Sequence, residues 1–318
     1  MTNTTIALRR QIGSAGDLKS VVRTMKASAA SAIGQYERSV AALGDYARTV
    51  ELGLGVCLRS VASEAAHAHV PLQQATDPVV HAVVFGSDQG LVGRFNETVV
   101  EHALAELAAG SASVRLWAVG ERVQSRLQEA KRPPEGTFPV PGSVEQISRL
   151  VGQILLEIPV LGGASEAGSA AESAVEPAGQ ASGANASLIL FYNRPSGVGY
   201  APVSQRLLPL DVAWQRELAG HPWPTQQLPE VLGSRAQALR AFIREHLFVS
   251  LFRASAESLA SENASRLAAM QRADKNIGAL LTELGARFHR LRQSGIDEEL
   301  FDVIAGFDAM TPEARPGN

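Results

Sequence analysis

Cysteine is almost absent: Cys57 is the single one in 318 residues, so no disulfide can close within the chain, and a reducing compartment suits it. Charge of one sign is not in excess either. The net charge of −3 gives no general pull toward nucleic acid or an anionic membrane surface. No apolar run approaches the roughly 20 residues that span a bilayer, and the opening MTNTTIALRRQ lacks the apolar centre of a signal peptide. Catalytic signatures are missing as well. No Gly-x-x-x-x-Gly-Lys-Ser/Thr occurs, which excludes a P-loop. Gly86, Gly90 and Gly93 do not reproduce the Gly-x-Gly-x-x-Gly spacing of a dinucleotide turn. A phosphate at the helix start behind them stays open as a minor alternative. His67 and His69 have no cysteine nearby and no obvious third ligand, so no metal site is expected. Nothing assembles a nucleophile, a base and an orienting group, and no cofactor is expected.

Proline is missing over two long stretches, before Pro71 and between Pro229 and Pro312. Both read as helix. In the second, Val249, Ala256, Ala260, Leu267, Met270, Ile277, Leu281, Leu284, Phe288 and Leu291 recur in steps of three and four, a heptad seam. The seam breaks at Arg292-Gln293-Ser294-Gly295 and restarts out of phase with Ile296, Leu300, Val303, Ile304 and Phe307. In the first stretch Leu18, Val22, Met25, Ala29, Ala32, Tyr36, Leu43, Tyr46, Val50 and Cys57 keep the same spacing. Many of these positions are small, which lets two helix backbones approach closely. The two ends of the chain are therefore expected to form one slim antiparallel coiled coil, with a pair of ordinary bundle helices as the plainer reading. Gly13, Gly16, Gly34, Gly44, Gly53 and Gly55 weaken the first helix by roughly 1 kcal/mol each relative to alanine, so it needs outside support. Arg9, Arg10, Lys19, Arg23 and Lys26 make its start basic, whereas Asp297, Glu298, Glu299, Asp302 and Asp308 make the end of the chain acidic. Glu298 and Glu299 are adjacent and diverge around a helix, unlike a paired acid and base.

Between the helices the pattern changes to short apolar runs separated by turns. Val79–Phe85, Val114–Val119 and Ser187–Tyr192 read as strands, and a further strand around Ala201 to Leu210 joins an edge. Helices are expected from Phe95 to Leu107, with Asn96 as cap, from Glu121 to Ala130, and from Ser143, as cap, to Glu157. Strands alternating with helices predict a mostly parallel sheet in α/β layers. The expected organisation is an N-terminal coiled-coil helix over 1–68, a central Rossmann-like α/β domain over 76–212, and a C-terminal coiled-coil helix over 226–310. Within the domain, residues 162–186 are almost wholly Ala, Gly, Ser and Glu and read as a flexible insertion.

Three motifs carry a resemblance to one known family. Ile12-Gly-Ser14 with Val21-Val-Arg-Thr-Met25 is similar to the family's opening helix I-x-S-V-x-N-T-x-K-I-T-K-A-M, which places Met25 on its Met and Arg23 on a Lys. Ser87-Asp-Gln-Gly-Leu-Val-Gly-Arg-Phe-Asn96 is similar to S-D-[RK]-G-L-C-G-G-[LF]-N. Arg292-Gln293, Ile296-Asp-Glu-Glu299, Asp302 and Gly306 resemble the closing signature, and Ser261-Glu-Asn-Ala-Ser-Arg-Leu-Ala-Ala-Met270 is close to A-S-E-x-x-A-R-M-x-A-M. Gln89 replaces a basic residue, Val92 a cysteine, Arg94 a glycine, Asp297 a threonine and Phe307 an alanine. Together the motifs resemble the γ subunit of F-type ATP synthases, the rotor shaft; with these departures the chain looks more like the γ of the alternative, N-ATPase-like F-type complex, some of whose members are thought to move Na⁺.

The resemblance implies a non-catalytic subunit, one copy per complex, at the cytoplasmic face of the plasma membrane. Its coiled coil would turn inside a ring of α and β subunits while the α/β domain rests on ε and the membrane c-ring, so that ion movement drives ATP synthesis or the reverse. Arg292 and Gln293 would be the catch against β. Met25, Arg23, Gln89, Glu298 and Glu299 would be further partner contacts, with Met25 also on the apolar seam. The rival readings are a non-rotary coiled-coil scaffold and an α/β enzyme that binds a phosphate ligand at the Gly86–Gly93 turn.

Overall fold

Successive side chains of a strand point to opposite faces, and in the first strand both faces are apolar. Ala82 and Val84 enter one core cluster while Val83 and Phe85 enter another. A strand buried on both sides belongs at the centre of a sheet covered twice by helices. That is where the computed structural model places it. The structure describes residues 2–65, 79–110, 113–159, 161, 186–197, 199–227, 229–231 and 233–310. Its elements are α1 (Thr2–Ala65), β1 (Val79–Phe85), α2 (Phe95–Ala108), β2 (Ser113–Val119), α3 (Glu121–Glu129), β3 (Gly136–Phe138), α4 (Val144–Glu157), β4 (Ala186–Ser196), β5 (Gly199–Leu208), α5 (Val212–Gly220) and α6 (Arg235–Met310). Two compact units result: Met1–Ser28 with Leu267–Asn318, and Ala29–Arg266.

In the larger unit the sheet order is β3-β2-β1-β4-β5, parallel except for the β4–β5 pair, which is antiparallel. The strand expected at an edge is β5. Val99, Val100 and Ala103 of α2, with Val123 and Leu127 of α3, cover one face of the sheet. Ile147, Leu150, Val151 and Ile154 of α4 cover the other, together with Tyr36 of α1 and Leu247, Leu251 and Phe252 of α6. Two elements were not expected. β3 is three residues long, too short to show an alternation, and α5 follows a cap at Asp211, whose Oδ1 accepts the Ala213 N–H at 2.8 Å. Ser143 holds the N-cap position of α4, but its side chain makes no capping bond to the backbone. The stretch 162–186, apart from Ala186 at the start of β4, lies outside the described residues, as do His67 and His69.

The outside support that α1 needs is visible at two of its glycines. A Cβ on Gly53 would stand 2.3 Å from the Phe242 ring, and one on Gly55 would stand 2.6 Å from the Leu218 carbonyl oxygen. Here the glycines allow close approach. Cys57 is buried beside them, and burial pushes its thiol pKa up, which makes it a packing residue and a poor nucleophile.

The smaller unit holds a slim apolar cluster of Ala15 and Val22 from α1 with Met270 and Ile277 from α6. The helices run antiparallel: Arg9 lies over the Phe288 ring at 5.8 Å, whereas Lys26 bonds Asp274 at 3.0 Å. Two expectations need correction. Of the expected α1 seam, Val22, Ala29, Tyr36, Val50 and Cys57 are buried and Met25, Ala32 and Leu43 are partly buried, whereas Leu18 and Tyr46 are exposed; Leu8, Ala15 and Leu54 are buried in addition. Spacing alone does not show which members of a seam are fully covered; Tyr46, though exposed, still donates to Glu245 of α6 at 2.7 Å. Through the seam break at Arg292–Gly295 α6 runs on to Met310. Ile296, Leu300, Val303 and Ile304 are exposed instead of forming a second seam, and the Phe307 side chain lies outside the described residues.

Lys26 hydrogen-bonds Asp274, Arg23 lies 3.8 Å away, and Lys19 adds charge, so the Asp274 carboxyl sits below its ordinary range. A depressed folded-state pKa means stability that is present above the unfolded value of roughly 3.9 and lost as pH falls toward the folded one. Asp274→Asn is expected to flatten the loss of helix stability on acidification below about pH 4. Thermal melting followed by circular dichroism across that range checks it.

Candidate partner-contact surfaces

The loop after β1 is built from within. Gly86 N–H donates to the Val119 carbonyl at 2.8 Å, and no side chain fits at Gly86 because a Cβ would lie 1.9 Å from Val123 and 2.6 Å from Asn96 Oδ1. Asn96, expected as a helix cap, is buried; its Oδ1 accepts the Ser87 N–H at 3.0 Å and its amide donates to Ser87 Oγ at 2.9 Å. Arg94 holds the N-cap position of α2 instead. The Asp88 carboxylate accepts the Glu121 N–H at 3.0 Å and the Val140 N–H at 2.9 Å. From the other side Ser265 donates to the Val92 carbonyl, and Asn193 donates to the Phe95 carbonyl at 2.9 Å.

This scaffold holds Leu91 at φ 63° and Gly93 at φ 60°. The left-handed region is costly for a leucine, yet Leu91 is 62% exposed and gains little from its own packing. The loop presents Gln89 and Leu91 outward on a fixed base. Gln89 was anticipated and Leu91 was not, although its position between two glycines was a usable signal. The same bonds argue against the phosphate reading. The N–H groups of Ser87 and Glu121 are already taken, the latter by a carboxylate that an incoming phosphate would face. Beneath the loop, buried Glu262 pairs with Arg266 at 2.6 Å. Burial pushes the Glu262 carboxyl up, Arg266 pulls it down, and Asp88 adds to the rise.

The smaller unit holds the other expected contacts. Met25 is half-buried against the Val22–Met270 cluster, and Arg23 lies exposed beside Asp274. Arg292, Gln293, Glu298 and Glu299 are exposed on α6 and make no side-chain hydrogen bond or ion pair among the described residues. Around them Ile296, Leu300, Phe301, Val303 and Ile304 are exposed on the same helix. Phe301 lies outside the row of Ile296, Leu300, Val303, Ile304 and Phe307 that the spacing suggests. Among the described residues no cluster of His, Cys, Asp and Glu could hold a metal, and no helix is long and apolar enough to cross a membrane.

A terminal helix with free polar groups and large exposed apolar side chains has the composition of a buried interface without its partner. The profile of the ATP synthase family matches residues 4–310. The chain belongs to this family, as a γ chain. It is 27% identical over 311 residues to the ATP synthase gamma chain of Fuscovulum blasticum, covering 95% of this chain and 98% of the relative. With the gamma chain of an Arthrobacter species it shares 28% over 313 residues, 95% and 96% of the two chains. Its fold resembles a chain of the Euglena gracilis mitochondrial ATP synthase, with TM-score 0.59 at 15% identity over 100% of this chain and 98% of that one. Family membership makes it a non-catalytic central-stalk rotor subunit. An enzyme site at the Gly86–Gly93 turn is therefore neither required nor favoured.

Proposed function

We propose that this γ chain turns as a single shaft within a ring of α and β subunits, with its α/β domain seated on ε and the membrane c-ring at the cytoplasmic face. The observation that carries this reading is the combination on α6 of unpaired Arg292, Gln293, Glu298 and Glu299 with exposed Ile296, Leu300, Phe301, Val303 and Ile304. Solvent-facing leucine, isoleucine and phenylalanine in such density favour burial by a surrounding protein. A shaft changes the state of a catalytic subunit only by binding its conformations unequally. A helix end that carries charges among apolar side chains does so, since each face offers different contacts. Arg292 can fork onto a carboxylate of β, with Gln293 as a neutral hydrogen-bonding neighbour. Met25 and Arg23 would form the bearing on α1, and Gln89, beside Leu91, a further contact on β.

Replacing Arg292 and Gln293 together by alanine is expected to lower coupled ATP hydrolysis or synthesis of the assembled complex by about tenfold, the equivalent of one charged contact of roughly 1.5 kcal/mol. The helix itself should stay folded, because both side chains are exposed. Turnover of the double variant at the parental rate would remove the catch assignment.

A further inference from the structure

From Leu251 to Asn263 every residue of α6 except Arg253 is buried, so this stretch is covered on nearly every face within the larger unit. An enclosed helix is usually apolar. This one buries Ser255, Glu257, Ser258, Ser261, Glu262 and Asn263. Glu257 stands out among them. One carboxylate oxygen accepts from Arg194 Nε of β4 at 2.8 Å, and the other accepts from Arg253 Nε of its own helix at 2.8 Å. Arg194 is steadied in turn by Tyr192, whose hydroxyl accepts from Nη2 at 2.6 Å and donates to Gln205 at 3.2 Å. The clasp thus runs from β5 through β4 to α6.

We propose that the Arg194–Glu257 clasp is the torsional joint that fixes the rotational setting of α6 on the sheet, which makes both residues positioning residues of the rotor. The inference rests on the rotor reading above. Apolar contacts are non-directional and let a smooth helix slip about its axis, whereas a charge-assisted pair has a fixed geometry. Glu257 is buried, but its partners Arg194 and Arg253 are 45% and 58% exposed; solvent screens such pairs and leaves them a small net energy, so stability does not account for Glu257. Among the described residues, only one other side-chain hydrogen bond ties α6 to the sheet side, that of Ser265 to Val92. α6 is one helix from Arg235 to Met310, and it also bears Arg292 and Gln293.

The test uses the assembled complex with its catalytic ring fixed to a surface and a probe attached at Gln128→Cys on α3, an exposed position. Angular variance during the pauses of ATP-driven rotation is inversely proportional to torsional stiffness. Losing one of two parallel directional links is expected to raise that variance by about twofold in Glu257→Gln and in Arg194→Met, with hydrolysis at saturating ATP unchanged. Arg253→Met removes a partner within α6 alone and is expected to leave the variance at the parental value. A merely structural role would lower thermal stability in these variants without this pattern. Parental variance in Arg194→Met, which carries the test if Glu257→Gln does not assemble, overturns the clasp, as does an equal rise in Arg253→Met. A parental probe that fails to turn with ATP overturns the rotor reading itself and the clasp with it.

Discussion

Gly120→Ala is expected to lower the stability of the larger unit by about 3 kcal/mol or more. Two separate costs combine. Gly120 has φ 112°, a region L side chains rarely adopt, and such strain costs about 1–3 kcal/mol. A Cβ there would also stand 2.8–2.9 Å from the nitrogen, carbon and oxygen of the Ser87 backbone, which cannot swing aside as a side chain would. Ser87 is pinned by Asn96 on one side, while its carbonyl accepts the Arg122 N–H at 3.0 Å. Overpacking against fixed backbone adds about 1–3 kcal/mol. Urea denaturation of the whole chain, read as the shift in midpoint, measures the sum. Gly152→Ala on α4 is the control: nothing lies within 4 Å of its added Cβ, and a gain of up to about 1 kcal/mol is expected from helix propensity. Equal midpoints for the two variants would refute the account of the turn.

Asn96→Ala is expected to cost about 2–3 kcal/mol and to loosen the exposed loop that carries Gln89 and Leu91. The Ser87 backbone N–H is buried and has Asn96 Oδ1 as its partner, so truncation leaves a donor without water or protein to bond, worth about 1–3 kcal/mol. The Ser87 hydroxyl loses the Asn96 amide at the same time. Leu91 holds a left-handed conformation only because the surrounding bonds determine the loop. Once Ser87 is released, Leu91 is expected to relax toward an ordinary backbone region. Amide hydrogen exchange over 86–96 should rise in the variant while β4 keeps its protection. Unchanged exchange across the loop would show that Asn96 is not what holds it.

The sheet was legible because its strands are short apolar runs bounded by turns, and the parallel core β2-β1-β4 needed little more. β5 was placed at an edge for the same reason. β3 was invisible, since three residues carry no period. The long helices were legible from missing proline and repeated spacing, but the spacing on α1 did not show which seam members are fully covered. Leu18 and Tyr46 looked like seam positions and are exposed, whereas Leu8 and Ala15 are buried. Asn96 shows another limit. A short polar residue near a helix start reads as a cap, and only the position of Ser87 across the turn shows that its side chain looks inward.

Among the candidate contacts, Arg292, Gln293, Glu298 and Glu299 were found by their resemblance to a motif, and the structure adds the exposed apolar residues beside them. Nothing in the sequence marked Arg194 and Glu257, which are 63 residues apart and meet only when β4 lies against α6.

Composition and periodicity by themselves determined that this chain is two long helices flanking an α/β domain without a hydrolytic motif. Those properties follow from local sterics and the spacing of apolar side chains along one segment. Tertiary structure decided which positions of each helix are fully buried, how the turn after β1 is locked, and which charge from the sheet reaches the shaft helix. Each of these depends on groups distant in sequence, whose energies exist only once the segments lie together.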